Sequence, residues 1–289
     1  MRSSSSRVLA IVPLLVAACA QADAPASRSL ERPSATVVAD HLISNVPDVD
    51  AHAFAVHDSD MDRLLLASNA DERVAVGSLM KLLNAYVAYE AGAPDRTVIA
   101  PHGIGGDADE SVIGILPGQA MTRAALIRAM LVVSANDAAR LLAVDIAGAE
   151  AAYAARMNEA AARLGLTDTR AVNASGLDAE GQVSSARDLI RLAEILWERP
   201  EFRRTVGERT VRFGGHVFLN TNDLLGTYPG ADGIKTGHTS DAGWCLLASA
   251  TRAGRRVVVA VLGAPSEEAR DEAATALLDW AFATPPPAR

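Results

Sequence analysis

The chain has 289 residues, 49% of them hydrophobic and 21% charged, with a formal net charge of −8 and a pI near 5.3. That length and apolar share allow a sizeable buried core, in one large domain or two small ones. The acidic balance argues against a phosphate-backbone partner, which selects for a basic patch, so no nucleic acid is expected.

Taken from the start, MRSSSSRVLAIVPLLVAA (residues 1–18) carries arginines at 2 and 7, then an apolar run from Val8 to Ala18 too short to span a bilayer, with small residues after it. This is the pattern of a secretory signal peptide, which makes the protein an exported one. Val16-Ala17-Ala18-Cys19 resembles a bacterial lipobox, in which Cys19 is lipidated and tethers the protein to a membrane. Ordinary cleavage after Ala20 or Ala24 is the rival reading. Residues 19–36 are rich in Pro, Ser and Ala and read as a flexible tether, residues 37–284 as a single domain, and 285–289 as a tail.

Next, AHAFAVHD and RLLLAS, separated by Ser59 to Asp62, read as a hairpin. GSLMKLLNAYVAYE follows as a helix apolar all round, opened by Gly77 and Ser78. The Gly- and acid-rich stretch PHGIGGDADESVIGILPGQ reads as loops, and Thr122 as the N-cap of TRAALIRAMLVVS. Helices are expected over Asn136 to Ala147, over Glu150 to Leu164 up to Gly165, and over SARDLIRLAEILWERP, stopping before Pro200. RTVRFGG and HVFLN form strands or a hairpin, GIKTG a short strand, and GWCLLASAT with RRVVVAVLG another hairpin. SEEARDEAATALLDWAFA closes the chain as a helix. The late apolar runs scarcely alternate, as in a sheet covered on both faces. The expected fold is α/β of the α+β kind: a central antiparallel sheet of N- and C-terminal strands, covered by helices, with an inserted helical region. Cys245, in an apolar strand, reads as a buried small hydrophobe.

Of 27 basic residues only two, Lys81 and Lys235, are lysine. A composition bias accounts for the 25 arginines and leaves the two exceptions standing. Ser78 and Lys81, three apart on a helix, share a face, so the amine can reach the hydroxyl. A lysine whose pKa is lowered by burial can take a proton from serine; arginine, always protonated, cannot. A surface lysine snorkelling over apolar neighbours is the rival reading. Ser134 and Asn136 fall where one helix pattern breaks and the next begins; they could relay a proton and hold a substrate carbonyl or the lysine, or simply cap helices. Lys235-Thr236-Gly237 lies on a predicted strand, whose edge could align an extended peptide, with Lys235 and Thr236 on a terminal carboxylate and Gly237 permitting close approach. A solvated charge at a strand end is the competing reading there. His41, His52, His57, His102, His216 and His238 show no metal-ligand spacing, so no metal and no cofactor are expected.

S-x-x-K, S-x-N and K-T-G occur once each, in that order, the set known from penicillin-binding proteins and class A β-lactamases. The runs DERVAVGSLMKLL, MLVVSANDAARLLA, LGLTDTRAVNASGLDAEGQVSSARDLIRLA and NTNDLLGTYPGADGIKTGHTSDAGWCLLASATRAGRRVVVAVLGAP make the chain resemble the D-alanyl-D-alanine carboxypeptidase family of serine peptidases (family S11, low-molecular-mass penicillin-binding proteins), over roughly Ala51 to Ala283. The resemblance implies a β-lactamase/transpeptidase-like catalytic domain acting on peptidoglycan stem peptides in the periplasm or at the outer face of a bacterial membrane, with β-lactams as covalent inhibitors. It implies Ser78 as nucleophile, Lys81 as general base, Ser134 in the proton path, Asn136 orienting substrate, Lys235, Thr236 and Gly237 binding it, and the backbone N–H groups of Ser78 and His238 as oxyanion hole. His238 as an acid or base is the less favoured role.

Two departures stand out. Ala75-Val76-Gly77 precedes the serine where a proline is expected nearby, and the chain ends soon after the last strand, without the second β-rich domain or amphipathic anchor of longer members; any membrane attachment would then fall to Cys19. A class A-like β-lactamase would place a glutamate some thirty residues past S-x-N, yet RLGLTDTRAVNASGLD holds none, so slow deacylation is expected. A DD-endopeptidase or transpeptidase acting through the same site, a non-catalytic peptidoglycan sensor and a metallopeptidase are the rival functions.

Overall fold

The computed structural model of the protein describes residues 36–37, 46–106 and 110–284. The signal segment, Cys19, His41, nearly all of the tether and the tail lie outside them. Thr36, the last residue assigned to the tether, instead begins a two-residue strand β1 (Thr36–Val37) paired antiparallel to Leu66 and Ala67.

The core is a six-stranded antiparallel sheet built from both ends of the chain. The hairpin β2 (Ala53–Asp58) and β3 (Arg63–Ser68) meets β8 (Ala231–Thr239), β9 (Gly243–Arg252) and β10 (Arg255–Ala264) in the order β1-β3-β2-β10-β9-β8. The join is β2 with β10, in a register that sets Val56 opposite Val259. Period-two alternation is present but both classes are apolar: Val258, Ala260 and Leu262 face one core, Val257, Val259 and Val261 the other. The second core is closed by α8 (Glu267–Ala283) through Leu277, Leu278 and Ala281.

The first core lies under the helical insertion. A 3₁₀ turn, Gly77–Met80, runs into α1 (Lys81–Glu90), every residue of which from Lys81 to Ala88 is buried. α1 is enclosed by α2 (Arg123–Val132), α3 (Asn136–Ala147), α4 (Glu150–Leu164) and α5 (Ala186–Trp197), which is why its sequence has no polar face. Thr122 caps α2 as expected, its hydroxyl accepting from the Ala125 N–H at 3.2 Å, and Gly148 and Gly165 end α3 and α4 in the left-handed conformation.

Three features were not expected. Pro200 does not only stop α5; it sits in the first turn of α6 (Pro200–Val206), where its missing N–H costs nothing. Strands β4 (Thr97–Ile99) and β5 (Ala120–Thr122) pair across the long loop, and α7 (Leu224–Thr227) precedes β8. The expected hairpin β6 (Thr210–Phe213) and β7 (His216–Leu219) forms a small sheet of its own against the end of α2. No described helix is long and apolar enough to cross a membrane.

Candidate active site

Lys81 begins α1 and reaches back over the 3₁₀ turn, so that its Nζ lies 2.7 Å from Ser78 Oγ. Its other partner is the Ser175 carbonyl oxygen at 2.5 Å. The side chain is fully buried, which excludes a snorkelling lysine. Burial holds the amine well below its ordinary pKa; the charges of Lys235 and Arg140 push the same way and Glu110 opposes them.

The segment that offers Ser175 is built for the purpose. Asn84, three residues past Lys81 on α1, donates to the Ala174 carbonyl at 2.8 Å, and its own Oδ1 accepts from the Tyr153 hydroxyl at 3.0 Å. Glu150 accepts from the Ala174 N–H at 2.9 Å, and Asn173 Oδ1 from the Gly176 N–H at 2.8 Å. Gly176 has φ +89°, and a Cβ there would lie 2.2 Å from the Gly77 carbonyl oxygen, so only glycine lets this loop lie against the serine turn. Sequence reading missed Ser175, which acts through its backbone carbonyl, and its supports, whose side chains hold backbone atoms of a loop distant in sequence; the only trace was a Ser-Gly pair in a turn-like stretch.

Ser134 and Asn136 both line the cleft in front of Ser78. Neither caps a helix: the C-cap of α2 is Val133 and the N-cap of α3 is Ala135. Ser134 instead occupies the left-handed region, φ +64°, an uncommon conformation for a residue with a Cβ. The Asn136 amide donates from Nδ2 to Glu110 at 2.8 Å, while Oδ1 is buried without a hydrogen-bond partner among the described residues.

Strand β8 forms the opposite wall. A Cβ on Gly237 would lie 2.6 Å from the Val76 carbonyl oxygen and 3.1 Å from the Ser78 nitrogen, and a Cβ on Gly77 would lie 3.0 Å from the His238 nitrogen. The Ser78 and His238 backbone nitrogens therefore flank one tight seam. The His238 ring is exposed and stacks on Trp244, centroids 4.0 Å apart. Thr236 lines the cleft and shares a 2.6 Å hydroxyl contact with Thr221. Lys235 is not the solvated strand-end charge of the competing reading. It is 1% exposed, its amine donates to the Thr236 carbonyl at 2.9 Å, and burial, with Arg270 nearby, lowers its pKa to about 7. The cation that does line the cleft is Arg270 of α8, held by Asp271 at 2.7 Å and Glu267 at 3.2 Å. In an arginine-rich chain nothing marked it out. Cys245, directly opposite Gly237 on β9, is buried and free as expected.

These walls enclose an open cleft of about 640 Å³. A family model described as D-alanyl-D-alanine carboxypeptidase matches residues 40–266. The chain belongs to this family. D-alanyl-D-alanine carboxypeptidase DacA of Escherichia coli is 34% identical over 83% of this chain, and the match spans 63% of that relative's length. DacB2 of Mycobacterium tuberculosis is 35% identical over 84% of this chain and 86% of its own. Among solved structures, penicillin binding protein 6B from E. coli superposes with a TM-score of 0.79 at 33% identity, covering 86% of this chain and 81% of that one. Penicillin-Binding Protein D2 from Listeria monocytogenes, in its ampicillin-bound form, gives 0.74 at 33% identity, covering 83% and 100%. The family and the β-lactamase/transpeptidase-like architecture expected from the three motifs are thus those of the chain.

Proposed function

We propose that the protein is a serine D-Ala-D-Ala carboxypeptidase that removes the terminal D-alanine from peptidoglycan stem peptides through an acyl-enzyme on Ser78. The observation that carries this reading is a buried amine, held below its ordinary pKa, 2.7 Å from a serine hydroxyl at the wall of an open cleft. Neutral Lys81 takes the Ser78 proton as Oγ attacks the penultimate carbonyl. The negative charge that develops on the carbonyl oxygen is met by the Ser78 and His238 N–H groups. The proton passes to the departing D-alanine nitrogen, with Ser134 in its path, and the C–N bond breaks to leave an ester. Water then attacks the ester carbonyl, losing its proton to Lys81, and that proton passes to Ser78 Oγ as the ester C–O bond breaks, freeing Ser78, the neutral amine and the shortened peptide.

Substrate binding is shared. Asn136 and the exposed edge of β8 take the peptide backbone. Thr236 Oγ1 and the Arg270 guanidinium take the terminal carboxylate, with the buried Lys235, whose charge is felt at Lys81, adding positive potential. The fit to a secretory signal on residues 1–18 is an enzyme working in the periplasm or at the outer face of a bacterial membrane; lipidation of Cys19 is the proposed tether. Residues 163–178 contain no glutamate of the kind a class A β-lactamase uses to activate the deacylating water, and the group this stretch offers Lys81 is the Ser175 carbonyl, so a β-lactam is expected to acylate Ser78 and stay.

The test uses a purified pentapeptide muropeptide and a fluorescent penicillin. Loss of one alanine by mass spectrometry, with a penicillin label that vanishes in Ser78→Ala, is the expected result. An unlabelled wild type, or rapid turnover of the penicillin, would overturn the reading.

A further inference from the structure

Glu110 stands midway along the long loop between β4 and β5 and lines the cleft together with Ser78, Ser134 and Asn136. Its carboxylate oxygens accept from the Arg140 guanidinium at 2.8 Å, and Oε2 also accepts from Asn136 Nδ2 at 2.8 Å. The ion pair is well shielded, with side-chain exposures of 18% for Arg140 and 9% for Glu110. An ionised carboxylate only accepts hydrogen bonds, so it admits one orientation of the Asn136 amide: nitrogen toward Glu110, oxygen away. The same corner is stitched by the backbone, since the Asn136 N–H donates to the Ser111 carbonyl at 2.7 Å and Asp137 accepts from the Gly114 and Ile115 N–H groups, each at 2.9 Å. The loop is thereby fixed to the start of α3.

We propose that Glu110 is a positioning residue for acyl transfer, its carboxylate, clamped by Arg140, holding the Asn136 amide in a single orientation at the wall of the cleft. The inference rests on the acyl-enzyme reading above. With one N–H committed to Glu110, the amide offers substrate its second N–H and its unpartnered Oδ1, and loss of the clamp lets it rotate between two orientations of which one is productive. Glu110 and Arg140 have a second consequence, because both act on Lys81 with opposite sign: the Glu110 charge raises the amine's pKa and the Arg140 charge lowers it. The other charged group facing Lys81 is Lys235 of β8, which also lowers it.

These signs separate a positioning pair from a merely structural ion pair. The second-order rate of Ser78 acylation by benzylpenicillin, followed by mass spectrometry, would be measured against pH in wild type, Glu110→Gln, Arg140→Gln and Glu110→Asp. The acidic limb of the profile, where protonation of Lys81 stops the reaction, is expected at lower pH in Glu110→Gln and at higher pH in Arg140→Gln. Glu110→Asp, which keeps the charge but shortens the arm, is expected to keep the limb in place while the rate at the optimum falls roughly ten- to a hundredfold through misplacement of the amide. Limbs that move the same way in both Gln variants, or do not move, would overturn the proposal, as would a Glu110→Asp rate equal to that of wild type. Wild type that takes no penicillin would sink the acyl-enzyme reading instead, so the two failures are distinguishable.

Discussion

Lys81 and Lys235 are equally buried and both lose basicity to that burial, yet their regions are wired differently. At the start of α1 the amine is held between a hydroxyl and the carbonyl of a loop far away in sequence, with its surroundings supplied by four helices. On β8 the amine turns back on the next carbonyl of its own strand. Burial alone therefore makes a lysine weakly basic; what it touches decides whether that property is used for proton transfer or for charge.

The sharpest way to break the comparison is arginine at position 81. Lys81→Arg keeps a long hydrogen-bonding side chain but imposes a fixed positive charge and cannot be neutral, so acylation by penicillin is expected to fall about a thousandfold. An intact-mass adduct forming at the wild-type rate would show that the two lysines are not functionally distinct. Gly237→Ala probes the seam between the regions: its Cβ would press on the Val76 carbonyl oxygen at 2.6 Å and part β8 from the serine turn. Roughly hundredfold slower acylation is expected, with the Ser78 hydroxyl still in place, as stopped-flow fluorescence would report. The smallest effect belongs to Lys235→Met. The folded-state pKa of Lys235 is about 7 against an ordinary 10.5, so between those values the unfolded chain binds more protons and stability rises with pH. Replacing the amine removes that slope and is expected to raise the melting temperature at pH 7 by several degrees. Calorimetry across pH 7 to 10 would check both; an unchanged slope would mean the amine is not buried as described.

Much of this was legible in the residues. The rarity of lysine, S-x-x-K on an all-apolar helix, and K-T-G before an apolar hairpin led to the nucleophile, its neighbour and the facing strand. Gly165 marked a helix end because a left-handed C-cap leaves a local trace. What stayed hidden was non-local. Pro200 looked like a stop because a helix end and a helix start use the same residue. The three-residue strands β4 and β5 are too short to show a period. Arg270, Ser175, Asn84 and Glu110 matter through what lies beside them, which no local pattern records. For Ser134 and Asn136 the local signal pointed to capping, and the backbone overrides it: neither residue is in a cap position.

The union of β2 with β10 bears on how the molecule is made. Residues 53–58 find their partners some two hundred positions later, at 257–262, and the strand facing Ser78 joins the sheet through β9, which in turn pairs with β10. Loop closure over such a separation comes late and slowly in folding. A chain emerging from the ribosome thus carries the serine and its lysine long before it carries a cleft, and acquires reactivity only when its last strand has docked.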